Sequence, residues 1–196
     1  MNPTEADRLR KGLVLGGMLA FLAPVLGVGA AVGMARAGYT MTANLTPSVP
    51  VGLYVADHHA GTLMRGQIVA FLPHNAAARY GVEQGWIKPG GSYIKRVAAL
   101  AGDLVCVDTM LTVTTVKEGS AATTKQIGPV ARVDHSGRPL PHALQGCNRV
   151  PVGSFLPVGD GLPNSFDGRY FGFVPALAVQ ARLTPLWTVA GQGAAP

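Results

Sequence analysis

Three side chains here have the types and settings that acyl-transfer chemistry needs: Ser48, Lys95 and Ser165. Ser48 lies in Asn44-Leu45-Thr46-Pro47-Ser48-Val49-Pro50-Val51-Gly52-Leu53-Tyr54. Pro47 has a locked φ and pushes Thr46 away from helical geometry, and Pro50 does the same to Val49. A proline cannot donate to a ladder, so neither helix nor central strand fits. The stretch predicts a stiff, extended ledge presenting one hydroxyl. Taken alone, the plainer reading is a proline-rich turn leading into a strand.

Lys95 lies in Ser92-Tyr93-Ile94-Lys95-Arg96-Val97-Ala98-Ala99-Leu100-Ala101-Gly102-Asp103. Side chains in a strand alternate faces. Tyr93, Lys95, Val97 and Ala99 then share one face, and Arg96 points the other way. An ammonium among apolar neighbours is poorly solvated, and full burial lowers a lysine pKa by up to about 3–5 pKa units. A neutral amine can take a proton from a serine hydroxyl. The competing reading is a lysine with a packed stem and its head in water. The third stretch is Gly159-Asp160-Gly161-Leu162-Pro163-Asn164-Ser165-Phe166-Asp167-Gly168-Arg169-Tyr170-Phe171-Gly172. Asn164, Ser165 and Asp167 favour turns, and Asp167 could pair with Arg169 across the turn to hold its shape. An ordinary turn before a strand is the alternative.

These residues need a scaffold. The chain has 196 residues, enough for one compact domain and an anchor. Hydrophobic residues make up 48% and charged residues only 13%, few for a wholly soluble protein. The net charge of +6 is spread without a basic run, which argues against a nucleic-acid partner. Residues 12–35 carry no charge, long enough for a membrane-spanning signal-anchor helix. A cleavable signal peptide is the rival, since Ala35-Arg36-Ala37 has the small-x-small form of a cleavage site, but its apolar core would be unusually long. Arg8, Arg10 and Lys11 precede the segment and only Arg36 follows closely, so residues 1–11 are expected in the cytoplasm. Residues 38–190 are then the exported domain, in contact with the bilayer, and 191–196 a flexible tail.

From Thr40 on, short Val-, Ile- and Thr-rich runs cut by Gly and Pro predict a mainly β, strongly bent domain. The predicted strands are Leu53–Ala56, Gln67–Leu72, Tyr93–Leu100, Leu104–Val107, Leu111–Val116, Val130–Val133 and Ser154–Val158. Asn75–Tyr80 predicts a short helix. Gly81–Gly91, with Trp86 and Ile87, reads as a mobile insertion near a binding surface or as a plain surface loop. Lys117–Lys125 predicts a hairpin tip, and Pro175–Arg182 a closing helix or edge strand. Cys106 and Cys147 allow a disulfide in an exported domain, or two buried thiols. His58, His59, His74, His135 and His142 lack metal-ligand spacing and read as solvated loop residues. Neither a metal nor another cofactor is expected.

Taken together, the three motifs in this order after an anchor resemble the type I signal (leader) peptidases, the Ser–Lys serine proteases. Pro-Ser-Val-Pro-Val-Gly-Leu-Tyr and Ser-Phe-Asp-Gly-Arg-Tyr-Phe-Gly are most similar to the TraF-type peptidases of conjugative transfer. The resemblance runs from the anchor to about Pro175. It implies a signal-peptidase-like bent β-sheet or barrel domain beside the inner membrane, facing the periplasm. It implies Ser48 as nucleophile, Lys95 as general base, and Thr46 with the Ser48 N–H as oxyanion hole. Ser165 would orient the lysine, with Asp167 and Arg169 as structural support. Substrates would bind as extended strands with small side chains before the cut; Phe71, Tyr93 and Val97 are candidate groove walls. Gly168 and Val49 stand where general bacterial enzymes often have serine and usually have methionine. That departure points to the conjugative branch, whose implied substrate is an exported pilin precursor, cut and in some members joined into a ring. The alternatives are a general signal peptidase and a non-catalytic anchored scaffold of a transfer apparatus.

Overall fold

The protein is described here from a computed structural model, covering residues 24, 26–116, 121–159 and 165–189. Two compact units divide the chain, 1–40 and 41–196. In the first, residues 26–36 are helical and end in a turn at 37–38. Among the described residues no helix is long and apolar enough to cross a membrane. Most of the expected anchor, 12–23 and 25, lies outside the described residues, as does the tail from 190 onward.

The second unit is mainly β, as expected. Its described strands are β1 (Tyr39–Asn44), β2 (Gly52–Asp57), β3 (Ile68–Phe71), β4 (Tyr93–Leu100), β5 (Leu104–Val107), β6 (Met110–Thr115), β7 (Thr123–Pro129), β8 (Gly146–Arg149), β9 (Ser154–Val158), β10 (Val174–Pro175) and β11 (Val179–Thr188). They form one sheet ordered β1-β2-β11-β3-β4-β9-β10 and a second ordered β7-β6-β5-β8. The helices are α1 (Ala76–Glu83) and α2 (Gly168–Phe171).

β4 is the spine. Its residues alternate buried and half-buried along the whole strand, as the period of two requires. Val69 of β3 lies opposite Lys95, and β9 pairs on the other side. Phe71, Tyr93, Val97, Phe155 and Phe171 form one core cluster on this face. A second cluster joins the two sheets through Ala99, Val105, Leu111, Val113 and Leu156. The β4–β5 turn needs Gly102 at φ +88, a conformation that favours glycine. Buried Asp103 closes that turn, accepting from the Leu100 N–H at 2.7 Å and from Arg65 at 2.5 Å.

Four expectations need correcting. Val130–Val133 is not a strand; the preceding polar run Thr123–Pro129 is, as β7, with Val133 in an isolated bridge to Pro139. The expected tip Lys117–Lys125 therefore shrinks, since Thr123–Lys125 are ladder residues; 117–120 lie outside the described residues. Pro175–Arg182 neither closes the fold as a helix nor edges the sheet. It makes a short 3-10 turn, Ala176–Ala178, and enters β11, which lies between β2 and β3. Pro185 is tolerated there because the β2 pairing shifts register between Pro185 and Trp187. Finally, Gly81–Gly91 is not loop throughout, though it does border the groove described below. α1 runs through Gly81 to Glu83, and the Trp86 and Ile87 N–H groups both donate to the Gly81 carbonyl.

Cys106 and Cys147 face each other across β5 and β8 and are joined by a disulfide. Gly168 packs so closely that an added Cβ would lie 2.6 Å from the Pro157 carbonyl and 2.8 Å from Leu156. We predict that Gly168→Ser lowers stability by about 1–3 kcal/mol through overpacking, measured as a shift in the denaturant midpoint.

Candidate active site

The Ser48 segment is a turn rather than an extended ledge: Pro47 and Ser48 occupy its bend, and Ser48 is half-buried. Two side chains pin it. Asn44, 2% exposed at the end of β1, shares its amide N–H groups among the carbonyls of Thr46 (2.7 Å), Val49 (3.1 Å) and Pro50 (3.1 Å). Its Oδ1 accepts from the Thr46 N–H at 3.3 Å and the Thr46 hydroxyl at 2.9 Å. Fully buried Tyr54 donates its hydroxyl to the Pro50 carbonyl. Sequence reasoning passed over Asn44. The available signal was an Asn two residues before a Thr-Pro turn, where its amide can bond the backbone two positions on.

β4 delivers Lys95 to this turn from below. Lys95 is 4% exposed, flanked on its own face by Tyr93 and Val97. Its Nζ donates to Ser165 Oγ at 2.7 Å. Ser165 Oγ in turn lies 3.4 Å from Ser48 Oγ. The fold thus brings Ser48, Lys95 and Ser165 together from β4 and two loops. Thr46 is nearby but exposed, its hydroxyl turned to Asn44. Gly159, at the end of β9, leaves the room these serines occupy: an added Cβ would sit 2.3 Å from Ser165 Oγ and 3.1 Å from the Ser48 carbonyl. Gly159 opens the third stretch singled out in the sequence, but the sequence gives no sign of this role.

Ser165 is fixed by the next motif. Asp167 is fully buried and Arg169 is 1% exposed. Their side chains form a two-point pair, Nε to Oδ1 at 3.0 Å and a terminal nitrogen to Oδ2 at 2.9 Å. Asp167 also accepts from the Gly159 N–H at 2.8 Å, and Arg169 donates to the Ser165 and Pro129 carbonyls, each at 3.0 Å. Burial pulls the guanidinium pKa down, but the hydrogen bonds and charge of Asp167 outweigh it and raise the net value.

The three residues open onto a groove of about 800 Å³. Tyr93 lines it, its phenol pushed above the usual range by burial. The expected wall residues Phe71 and Val97 are instead fully buried core. His58, His59, His135 and His142 are exposed, whereas His74 is half-buried against Phe171. Burial pushes its pKa below the ordinary value, partly opposed by a hydrogen bond that the ring donates to the Phe173 backbone.

The sequence profile of the signal peptidases, peptidase S26, matches residues 15–187. The chain belongs to that family. It lies on the TraF branch. A plasmid transfer protein TraF of Escherichia coli is 32% identical over 172 residues, 83% of this chain and 93% of that one. A conjugal transfer protein TraF of Agrobacterium fabrum is 30% identical over 155 residues, 74% of this chain and 81% of that one. A crystallographic signal peptidase I from Enterococcus faecalis, 23% identical, gives a TM-score of 0.34 over 64% of this chain and all of that one. Membership of the peptidase family rests on the sequence matches.

Two changes test the supports. Arg169→Met leaves Asp167 charged, buried and unpaired, and is expected to cost about 3–5 kcal/mol; a thermal or denaturant melt checks it. Asn44→Ala strands buried carbonyls, at an expected cost of about 1–3 kcal/mol. Asn44→Asp keeps the acceptor, loses both donors, and should not rescue stability in the same melts.

Proposed function

We propose that this chain is a membrane-anchored serine endopeptidase of the inner membrane, acting in the periplasm on an exported pilin-like precursor in conjugative transfer. The observation that carries the reading is the buried amine of Lys95, joined through Ser165 to a serine hydroxyl at the floor of an open groove. Burial disfavours the ammonium, so the neutral amine is the accessible base. Ser48 Oγ attacks the scissile carbonyl and its proton passes to Lys95 Nζ. The tetrahedral oxygen is held by the Ser48 N–H and by the Thr46 hydroxyl, which must turn from Asn44 to reach it. Collapse expels the amine, which takes the proton back from Lys95. Water, or an amine of the substrate itself, then resolves the acyl-enzyme. The second outcome closes a ring.

The TraF relatives support conjugation over general leader processing, and Gly168 fits the same branch. A scaffold would have no use for an amine buried beside two serines at the floor of a groove. Co-expression with the precursor tests the proposal. Ser48→Ala abolishes processing, and Lys95→Ala lowers it by about 10²–10⁴-fold. Ser165→Ala leaves a reduced rate, because it orients the base without carrying the proton. Processing by both the Ser48 and Lys95 variants would sink the reading. The mass of the mature product reports the ending, since a ring lacks one further water.

A further inference from the structure

The proposed chemistry leaves the lining beyond Ser165 without a role. Trp86, Ile87, Val133, Leu140 and Phe166 face the same groove as Ser48. Two segments, 84–91 and 131–140, supply most of this wall and are clasped together. Arg138 donates to Gln84 Oε1 at 2.6 Å, lies 5.4 Å over the Trp86 ring, and is itself held by Asp134 at 2.6 Å. The Tyr80 hydroxyl adds a bond of 2.8 Å to the Pro139 carbonyl. Trp86 meets Phe166 edge-on at 5.1 Å, and Phe166 stacks on Tyr170 at 5.7 Å.

Despite these contacts, Trp86, Ile87, Leu140 and Phe166 are only half-buried, and Val133 is 48% exposed. Such a held aromatic wall inside a groove, with its apolar faces uncovered, has the composition of a ligand pocket. We propose that it is a subsite for one large apolar side chain, aromatic or branched aliphatic, of the substrate polypeptide. That occupant follows from continuity with Ser48 and so rests on the proposed peptidase reading. Phe166 directly follows Ser165. With about 3.8 Å between successive Cα atoms and about 3.3 Å per residue of extended substrate, the side chain belongs within about three residues of the cut, at a position other than those the small side chains fill. Because the clasp fixes the wall before binding, little ordering cost is added when the side chain enters.

The test uses the full-length protein in detergent, in a Ser48→Ala background so that binding is read without turnover. Labelled alanine-rich decapeptides, identical except for a central Ala, Leu or Phe, are titrated by fluorescence anisotropy. The Leu and Phe peptides bind about 10-fold or more tighter than the Ala peptide. Trp86→Ala or, should that variant misfold by circular dichroism, Leu140→Gln removes the difference. Equal affinities for the three peptides, or discrimination that survives in the folded wall variant, overturns the subsite. Discrimination in a protein whose native Ser48 form cleaves nothing upholds the subsite and counts against the peptidase proposal instead.

Discussion

The Asp167–Arg169 pair is the constraint on which the site depends. Taking two charges out of water costs several kcal/mol per ion, and attraction repays that only when the remaining hydrogen-bonding capacity is filled. Here it is filled from three directions: the end of β9 through Gly159, the Ser165 carbonyl, and the end of β7 through Pro129. One ion pair therefore ties both sheets to the loop that carries Ser165. The guanidinium's raised pKa has the same origin.

Lys95 faces the opposite problem. It has an apolar strand face for surroundings and a serine hydroxyl at 2.7 Å. Asp167 and Arg169 offset burial by pairing; in the mechanism we propose, the Lys95 amine does so by giving up its proton. On the proposed reading, that contrast separates the supporting polar groups, Asp167 and Arg169, from the reacting ones.

Much of this was legible from residue order. β4 alternates faces because Tyr93, Lys95, Val97 and Ala99 recur with period two, and α1 begins at Asn75 because its side chain caps the Ala78 N–H at 2.7 Å. The co-location of Ser48, Lys95 and Ser165 rested on motif order, since no local rule predicts that distant loops meet. β7 was missed because its exposed Thr-Thr-Lys-Gln start carries no apolar alternation; tertiary pairing with β6 decides it. The central position of β11 comes from pairing with β2 on one side and β3 on the other, which nothing local in Pro175–Arg182 reveals. At Ser48 the prolines left both a ledge and a turn open; the turn is what forms, and Asn44, quoted with the stretch but given no role, is what pins it.

Gly159 has a consequence for how this chain can diverge. The space a methyl group would need there is already taken by Ser165 and the Ser48 carbonyl. Substitution at this one position is therefore closed off, whereas the half-exposed wall residues carry no such block. On the proposed reading, a lineage of such proteins would acquire new targets by redecorating the rim around an unchanged Gly159.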